Sequence, residues 1–146
     1  MSESSVLYEE RGAVALVTLN RPSALNSLNH EMHSTLWALL DKAEANKAIR
    51  AMVITGAGRG FCAGADLSEF DFSDGPDRIQ RADPGPVIQR SFNPTTRRLQ
   101  ALRMPVIAAV NGVVQMRQLF LDGALAGVAV ECSELGDGGD VHGDRL

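Results

Sequence analysis

A pattern typical of a buried strand, followed by a glycine-rich turn, stands at residues 51–67, which read AMVITGAGRGFCAGADL. Residues 51–55 form an uninterrupted apolar run of the length expected for a strand covered on both faces. Glycines at 56, 58 and 60 end this run, and the segment 61–67 that follows has four small residues at 62–65. Small side chains let a backbone approach a ligand closely, and glycine permits dihedral angles that other residues avoid. The segment therefore predicts a buried strand that leads into either a backbone-lined site or a simple connector turn.

The residues on the N-terminal side predict a hairpin and a helix. Residues 6–10 and 14–19 have the composition of two short strands. A helix is expected over residues 30–45, with Asn29 as its N-cap. A strand, a helix and then the buried strand favour a right-handed crossover and an α/β layer.

The residues on the C-terminal side predict a loop, a helix and another buried strand. Residues 71–86 are rich in Asp, Pro, Gly and Arg and have no period, which is typical of a mobile surface loop. A helix is expected over residues 87–102, kinked or restarted at Asn93-Pro94, where Asn93 could cap a new helix. The apolar run at 106–110 predicts the next strand.

The composition excludes several classes of protein. The chain has 146 residues, enough for one domain, and is 45% hydrophobic and 22% charged, unlike a disordered chain. A net charge of -4 disfavours a surface for nucleic acid or for an anionic membrane. No apolar window approaches the roughly 18 residues of a membrane span, and the N-terminus lacks a signal-peptide pattern. A cytoplasmic protein is expected.

The cysteines and histidines do not predict a metal site. Cys62 and Cys132 are far apart and lack metal-ligand spacing with the histidines, so both are expected to be reduced thiols. His30 and His33 are three residues apart on one helix, where we expect them to face a polar surface.

The segment at 61–67 is the candidate for chemistry. If a short helix starts near Asp66, the amides around Ala65 point outward as unused donors, and such donors can hold an oxyanion in a dry site. On spacing alone, a glycine-rich connector turn is the favoured interpretation of the segment. Asp66 is interpreted as a helix N-terminal residue rather than a catalytic base, and Cys62 as a packing residue. The glycines match neither GxGxxG nor a P-loop.

Four strings resemble, in order and spacing, the successive signatures of one enzyme family. They are NRPSALNSL at 20–28, VITG at 53–56, FCAGADL at 61–67 and MPVIAAVNG at 104–112. Together they make residues 6–114 similar to the N-terminal part of the crotonase (enoyl-CoA hydratase/isomerase) family. Within that family, the chain looks most like the ring-type isomerases of phenylacetate breakdown.

The resemblance implies an α/β fold of repeated ββα turns stacked as a spiral. It implies an acyl-coenzyme A thioester as substrate, with no separate cofactor, and a trimeric or hexameric assembly. In the family, two backbone N–H groups hold the thioester oxygen while an enolate forms. Carried over by residue, Ala65 would supply the first donor. The residues that would cradle the coenzyme A are Ala24, Leu25, Asn26, Ala63, Gly64, Ala65, Asp66 and Leu67.

The sequence departs from the family pattern after Asn111-Gly112. The family continues into a glycine-rich turn and a helix, whereas here residues 113–122 intervene before a similar string at 123–133. If that string is equivalent, Ala124 would supply the second donor, and Gly127 would stand where hydratases carry a catalytic glutamate. The competing interpretation divides the chain into a partial core, 1–114, and a divergent or frameshifted tail, 115–146, that is partly disordered.

Two functions follow as expectations. The first is an enoyl-CoA hydratase or isomerase that stabilises a thioester enolate, with this chain as a truncated form, because the family's later acid/base carboxylate and C-terminal helices have no counterpart here. The second is a non-catalytic fragment that binds coenzyme A weakly or assembles with full-length subunits.

Overall fold

A computed structural model describes residues 4–114 and 129–132. The strands are β1 (Val6–Arg11), β2 (Val14–Leu19), β3 (Ala51–Gly56), β4 (Gly60–Cys62), β5 (Val106–Val110), β6 (Val113–Val114) and β7 (Ala129–Cys132). The helices are α1 (His30–Ala45), α2 (Arg78–Arg81), α3 (Gly85–Val87) and α4 (Asn93–Ala101). Two 3₁₀ turns, Pro22–Ala24 and Leu67–Glu69, and one π-helical turn, Ile88–Phe92, complete the described elements.

The strands form two sheets. The larger sheet has the order β1-β2-β3-β5-β7, in which β1 is antiparallel to β2 and every other neighbour is parallel. The smaller sheet pairs β4 with β6 in parallel. Each of the pairs β3–β4 and β5–β6 thus gives one strand to each sheet, which is the repeated arrangement of a ββα spiral. The predicted α/β fold class is confirmed.

Helix α1 covers the larger sheet with an apolar stripe. Asn29 caps the helix as predicted, since its side-chain oxygen accepts a hydrogen bond from Met32 N at 2.9 Å. Met32, Leu36 and Leu40 of the helix are buried, and they join one core cluster with the inward side chains of β2, β3 and β5. The strands expected at 14–19 and 106–110 and the helix expected at 30–45 have these bounds in the structure.

The predicted break at Asn93-Pro94 is a π-helical turn rather than a new helix start. Asn93 has helical dihedral angles, φ −60° and ψ −44°, so the expectation that it caps a helix is wrong. Its N–H reaches back to the carbonyl of Ile88, five residues earlier. Because Pro94 has no N–H and its ring clashes with the carbonyl four residues before it, the wider turn keeps the helix continuous.

Three segments differ from their predictions. The turn expected at 56–60 runs directly into strand β4, which sequence analysis missed. The loop expected at 71–86 contains the one-turn helix α2 and the first residues of α3. The string at 123–133 resembles a turn followed by a helix, but Ala129–Cys132 pair with β5 as a strand.

Close contact between the two sheets requires a glycine at residue 56. A Cβ atom built on Gly56 would overlap the carbonyl oxygens of Gly60 and Phe61 and would lie 2.8 Å from the side-chain nitrogen of Asn26. The chain can therefore turn from β3 into β4 only where residue 56 has no side chain. Within the described residues, no helix has the length and apolar character needed to cross a membrane.

Candidate active site

Two backbone segments, 24–28 and 63–67, lie side by side. Ala63 N–H donates to the carbonyl of Leu25 at 2.9 Å, Leu28 N–H to that of Gly64 at 2.7 Å, and Asp66 N–H to that of Leu28 at 2.9 Å. The last two bonds define an isolated parallel bridge between Leu28 and Ala65. The segments that resemblance alone assigned to one site are thus joined in the structure.

This bridge leaves the Ala65 amide on the outer side of the segment. In a parallel bridge the bonded residue uses both its N–H and its C=O, while the opposite residue turns its own groups away. Leu28 is the bonded residue, so the N–H of Ala65 points away from it. Among the hydrogen bonds between described residues, none uses Ala65 N–H as donor, and Ala65 is half-buried. The amide is thus left without a hydrogen-bond acceptor among the described residues.

Backbone angles that favour glycine or asparagine shape both segments. Gly64 has φ +101°, a value at which any other residue is strained. Leu25 and Asn26 have φ +50° and +56°, in the left-handed region. Asparagine tolerates this region and leucine does so less readily, so the surrounding contacts must hold Leu25 there.

The side chain of Asn26 supplies such contacts. It is fully buried, and its nitrogen donates to the carbonyl of Ala57 at 2.9 Å and to that of Gly60 at 2.7 Å. Its oxygen accepts from Arg21 N at 2.8 Å. Asn111, which follows β5, donates to two other carbonyls of the same turn, those of Gly56 and Gly58, at 2.8 and 2.9 Å. The two amides hold the turn between the sheets.

An ion pair flanks the bridge. Nη1 of Arg21 lies 2.8 Å from Oδ2 of Asp66 and also donates to the carbonyl of Ser27 at 2.8 Å. The side chains of Arg21 and Asp66 are 27% and 13% exposed. Asp66 also caps the Leu67–Glu69 turn, since its Oδ1 accepts from Ser68 N at 3.0 Å and Ser68 Oγ at 2.7 Å. Its interpretation as a helix N-terminal residue is confirmed.

These partners keep Asp66 ionised. Burial favours the neutral acid, but the hydrogen bonds from Ser68 and the guanidinium of Arg21 outweigh it and lower the pKa of Asp66 below its ordinary value. A carboxylate whose oxygens are committed to these partners is a poor proton acceptor. The geometry therefore favours a positioning role over a general base.

The other residues expected to cradle coenzyme A differ in exposure. Ala24, Leu25 and Ala63 are half-buried, Gly64 is buried, and Leu67 has 69% of its surface exposed. Their contact with a ligand stays a prediction. Ala124 and Gly127 lie outside the described residues.

His33 does not face a polar surface, so the expectation is wrong for this residue, while His30 is half-buried. His33 is buried against Thr95, with 2.7 Å between its Nδ1 and the hydroxyl oxygen, and Nδ1 of His30 lies 3.0 Å from Ser91 Oγ. Cys62 is buried in the core, and burial, partly offset by a hydrogen bond with the Gly64 backbone, raises the pKa of its thiol. Among the described residues, no three His, Cys, Asp or Glu side chains are grouped to hold a metal ion.

Comparisons with known proteins agree with this architecture. A family model described as enoyl-CoA hydratase/isomerase matches residues 9–116. The chain is 46% identical to 1,2-epoxyphenylacetyl-CoA isomerase of Escherichia coli K12 over 114 residues, which cover 77% of this chain and 42% of that protein. It is 38% identical to short-chain-enoyl-CoA hydratase of Clostridium acetobutylicum over 117 residues, 77% of this chain and 41% of that protein.

Solved structures show the same fold. Pseudomonas aeruginosa DspI aligns with a TM-score of 0.62 and 31% identity, over 78% of this chain and 41% of that one. An enoyl-CoA hydratase from Bacillus anthracis aligns with a TM-score of 0.60 and 29% identity, over 74% of this chain and 40% of that one.

The paired sheets, the bridged segments and these matches place the chain in the crotonase class of folds. The chain belongs to the enoyl-CoA hydratase/isomerase family. It spans about two fifths of the length of the curated relatives cited, 42% and 41%.

Proposed function

We propose that this chain binds an acyl-coenzyme A thioester and that the N–H of Ala65 donates a hydrogen bond to the thioester oxygen as an enolate forms. The observation that carries the proposal is the Leu28–Ala65 bridge, which turns this N–H outward while it fixes the peptide on both sides. A donor held in place in this way needs no reorganisation when charge develops on the oxygen.

The family supports the chemical class of the reaction. The two relatives named above are an isomerase and a hydratase that act on acyl-coenzyme A compounds. Removing a proton next to a thioester, or adding water to its conjugated double bond, places negative charge on the same carbonyl oxygen. A backbone donor at Ala65 would serve either reaction. It requires only that neighbouring side chains be small, as at Ala63 and Gly64, so that the ligand can approach the backbone.

The test replaces the donor and measures binding by calorimetry. Acetoacetyl-CoA is the probe because it ionises readily to an enolate, and coenzyme A without a thioester is its companion. Ala65→Pro removes the N–H and should weaken acetoacetyl-CoA binding by about tenfold to a hundredfold, the range for one hydrogen bond to a charged group. Binding of coenzyme A should change little. Ala65→Gly keeps the N–H and is the matched control, with wild-type affinity expected.

A second measurement avoids mutation. In an NMR titration of the wild-type chain, the amide proton of Ala65 should move downfield with acetoacetyl-CoA and much less with coenzyme A. An unmoved Ala65 resonance, or equal affinity in Ala65→Pro and Ala65→Gly, would contradict the proposal.

A further inference from the structure

We infer that Arg21 is a positioning residue whose charge cancels that of Asp66, so that an enolate oxygen at Ala65 N–H does not face an unpaired carboxylate. The inference rests on the proposed function and assigns the charge balance of the same site. The sequence drew attention to Asp66 but not to Arg21, which carries no signal of its own beyond its place in the string at 20–28.

Arg21 contacts both of the segments that hold the Ala65 donor, 24–28 and 63–67. Its Nη1 lies 2.8 Å from the carboxylate of Asp66, the residue after Ala65. The same nitrogen donates at 2.8 Å to the carbonyl of Ser27, the residue before Leu28. Leu28 and Ala65 form the bridge that aims the amide. One guanidinium therefore joins the two segments of the site, 24–28 and 63–67, at the point where the donor is held.

The negative charge of Asp66 explains why its contact with Arg21 matters at this site. Asp66 is held ionised next in sequence to the proposed oxyanion donor, and its side chain is largely buried, at 13% exposure. A like charge near a forming enolate disfavours it. With Arg21 paired to Asp66, the site presents the donor without that repulsion.

The experiment measures how much bound acetoacetyl-CoA is in its enolate form, from near-ultraviolet absorbance at fixed pH on the full chain with saturating ligand. Because the ligand saturates the site, the measured ratio does not depend on how tightly each variant binds it. Arg21→Gln should lower the enolate-to-keto ratio about tenfold, the lower end of the effect of one nearby charge. Adding Asp66→Asn to Arg21→Gln should restore the ratio to near the wild-type value, because the repelling charge is then gone.

Two further variants keep the inference testable if Arg21→Gln fails to fold. Arg21→Lys keeps the positive charge and should keep the ratio. Asp66→Asn alone keeps an oxygen for Ser68 but leaves Arg21 uncancelled, so it should raise the ratio. A purely structural ion pair would lower stability or affinity in these variants and leave the ratio unchanged.

The outcomes distinguish this inference from the proposed function. A wild-type chain that does not enrich the enolate refutes the proposed function, and the role of Arg21 with it. A wild-type chain that enriches the enolate, with the same ratio in Arg21→Gln or a lowered ratio in Asp66→Asn, refutes the role of Arg21 alone.

Discussion

The Nδ1 atom of His33 lies 2.7 Å from the hydroxyl oxygen of Thr95, and this buried contact joins α1 to α4. The Thr95 hydroxyl gives its one proton to the carbonyl of Ser91 at 2.9 Å and accepts from Trp37 Nε1 at 2.7 Å. His33 must then donate from Nδ1, which leaves Nε2 as an unprotonated nitrogen. Among the described residues Nε2 has no partner. The histidine is held neutral.

The free energy of unfolding should therefore fall as the pH drops below 6.5, the ordinary pKa of histidine. Burial, followed by the charge of nearby His30, lowers the pKa of His33 from 6.5 to about 4. The unfolded chain takes up the proton first, so the stabilisation is complete above pH 6.5 and is lost as the pH falls toward 4. Urea unfolding should show a loss of up to about 2 kcal/mol between pH 6.5 and about 5.

His33→Gln is the control for this slope. Glutamine is neutral at every pH and can still donate to Thr95, so the variant should lose that share of the pH dependence. An unchanged slope in His33→Gln would show that other groups cause it.

The helix carrying His33 was predicted from sequence with the bounds it has, yet the environment of its histidines was not. Helical periodicity identifies the apolar stripe of α1, but it cannot show that α4 covers the neighbouring face of α1, which carries His33 and Trp37. Thr95 is 62 residues away in sequence from its histidine partner. Polar side chains that satisfy one another across such a distance look like surface residues until the packing is known.

Removing the side chain of Asn26 should be among the more damaging substitutions. Asn26→Ala would leave the carbonyls of Ala57 and Gly60 without this donor and Arg21 N–H without this acceptor. Unsatisfied buried groups cost about 1–3 kcal/mol each, so we expect a loss of roughly 3 kcal/mol in free energy of unfolding by urea denaturation. Asn46→Ala removes bonds that lie at the surface and should cost less than about 1 kcal/mol. Equal losses in the two variants would contradict a clamping role for Asn26.

Four of the five strands of the larger sheet were predictable and the smaller sheet was not, for a physical reason. Strands β2, β3 and β5 are apolar runs of five or six residues, which stand out in any sequence. Strand β4 has three residues and begins with a glycine inside a glycine-rich stretch. Its pairing with β6 depends on residues about fifty positions further on, which no local pattern records. The segments of the candidate site were grouped by resemblance, since neither composition nor period brings 24–28 to 63–67.

The contact between β3 and β4 can be tested through Gly56. Gly56→Ala would push a methyl group into the carbonyl oxygens of Gly60 and Phe61, which belong to the backbone and cannot swing aside. We expect a loss of at least about 3 kcal/mol in thermal or urea unfolding. Gly12→Ala is the matched control. Gly12 has φ +60° but no atom within 4 Å of a new Cβ, so the cost should be only the strain of about 1 kcal/mol. A Gly56→Ala protein as stable as Gly12→Ala would mean that the two sheets do not approach as described.

The thiol of Cys62 should react slowly while the chain is folded. The side chain is buried, and the raised pKa keeps it protonated at neutral pH, whereas alkylation requires an accessible thiolate. In a Cys132→Ser background, which leaves one cysteine, iodoacetamide should label the native chain at least about a hundredfold more slowly than the chain in urea. The labelling rate then reports how often strand β4, which carries Cys62, opens.

Arg21→Gln should raise the labelling rate of Cys62 more than Arg98→Gln does. Arg21 bonds to both segments of the neighbouring bridge, whereas Arg98 pairs with Asp41 at the surface. Rapid labelling of the native Cys132→Ser chain would show that Cys62 is not enclosed by the core.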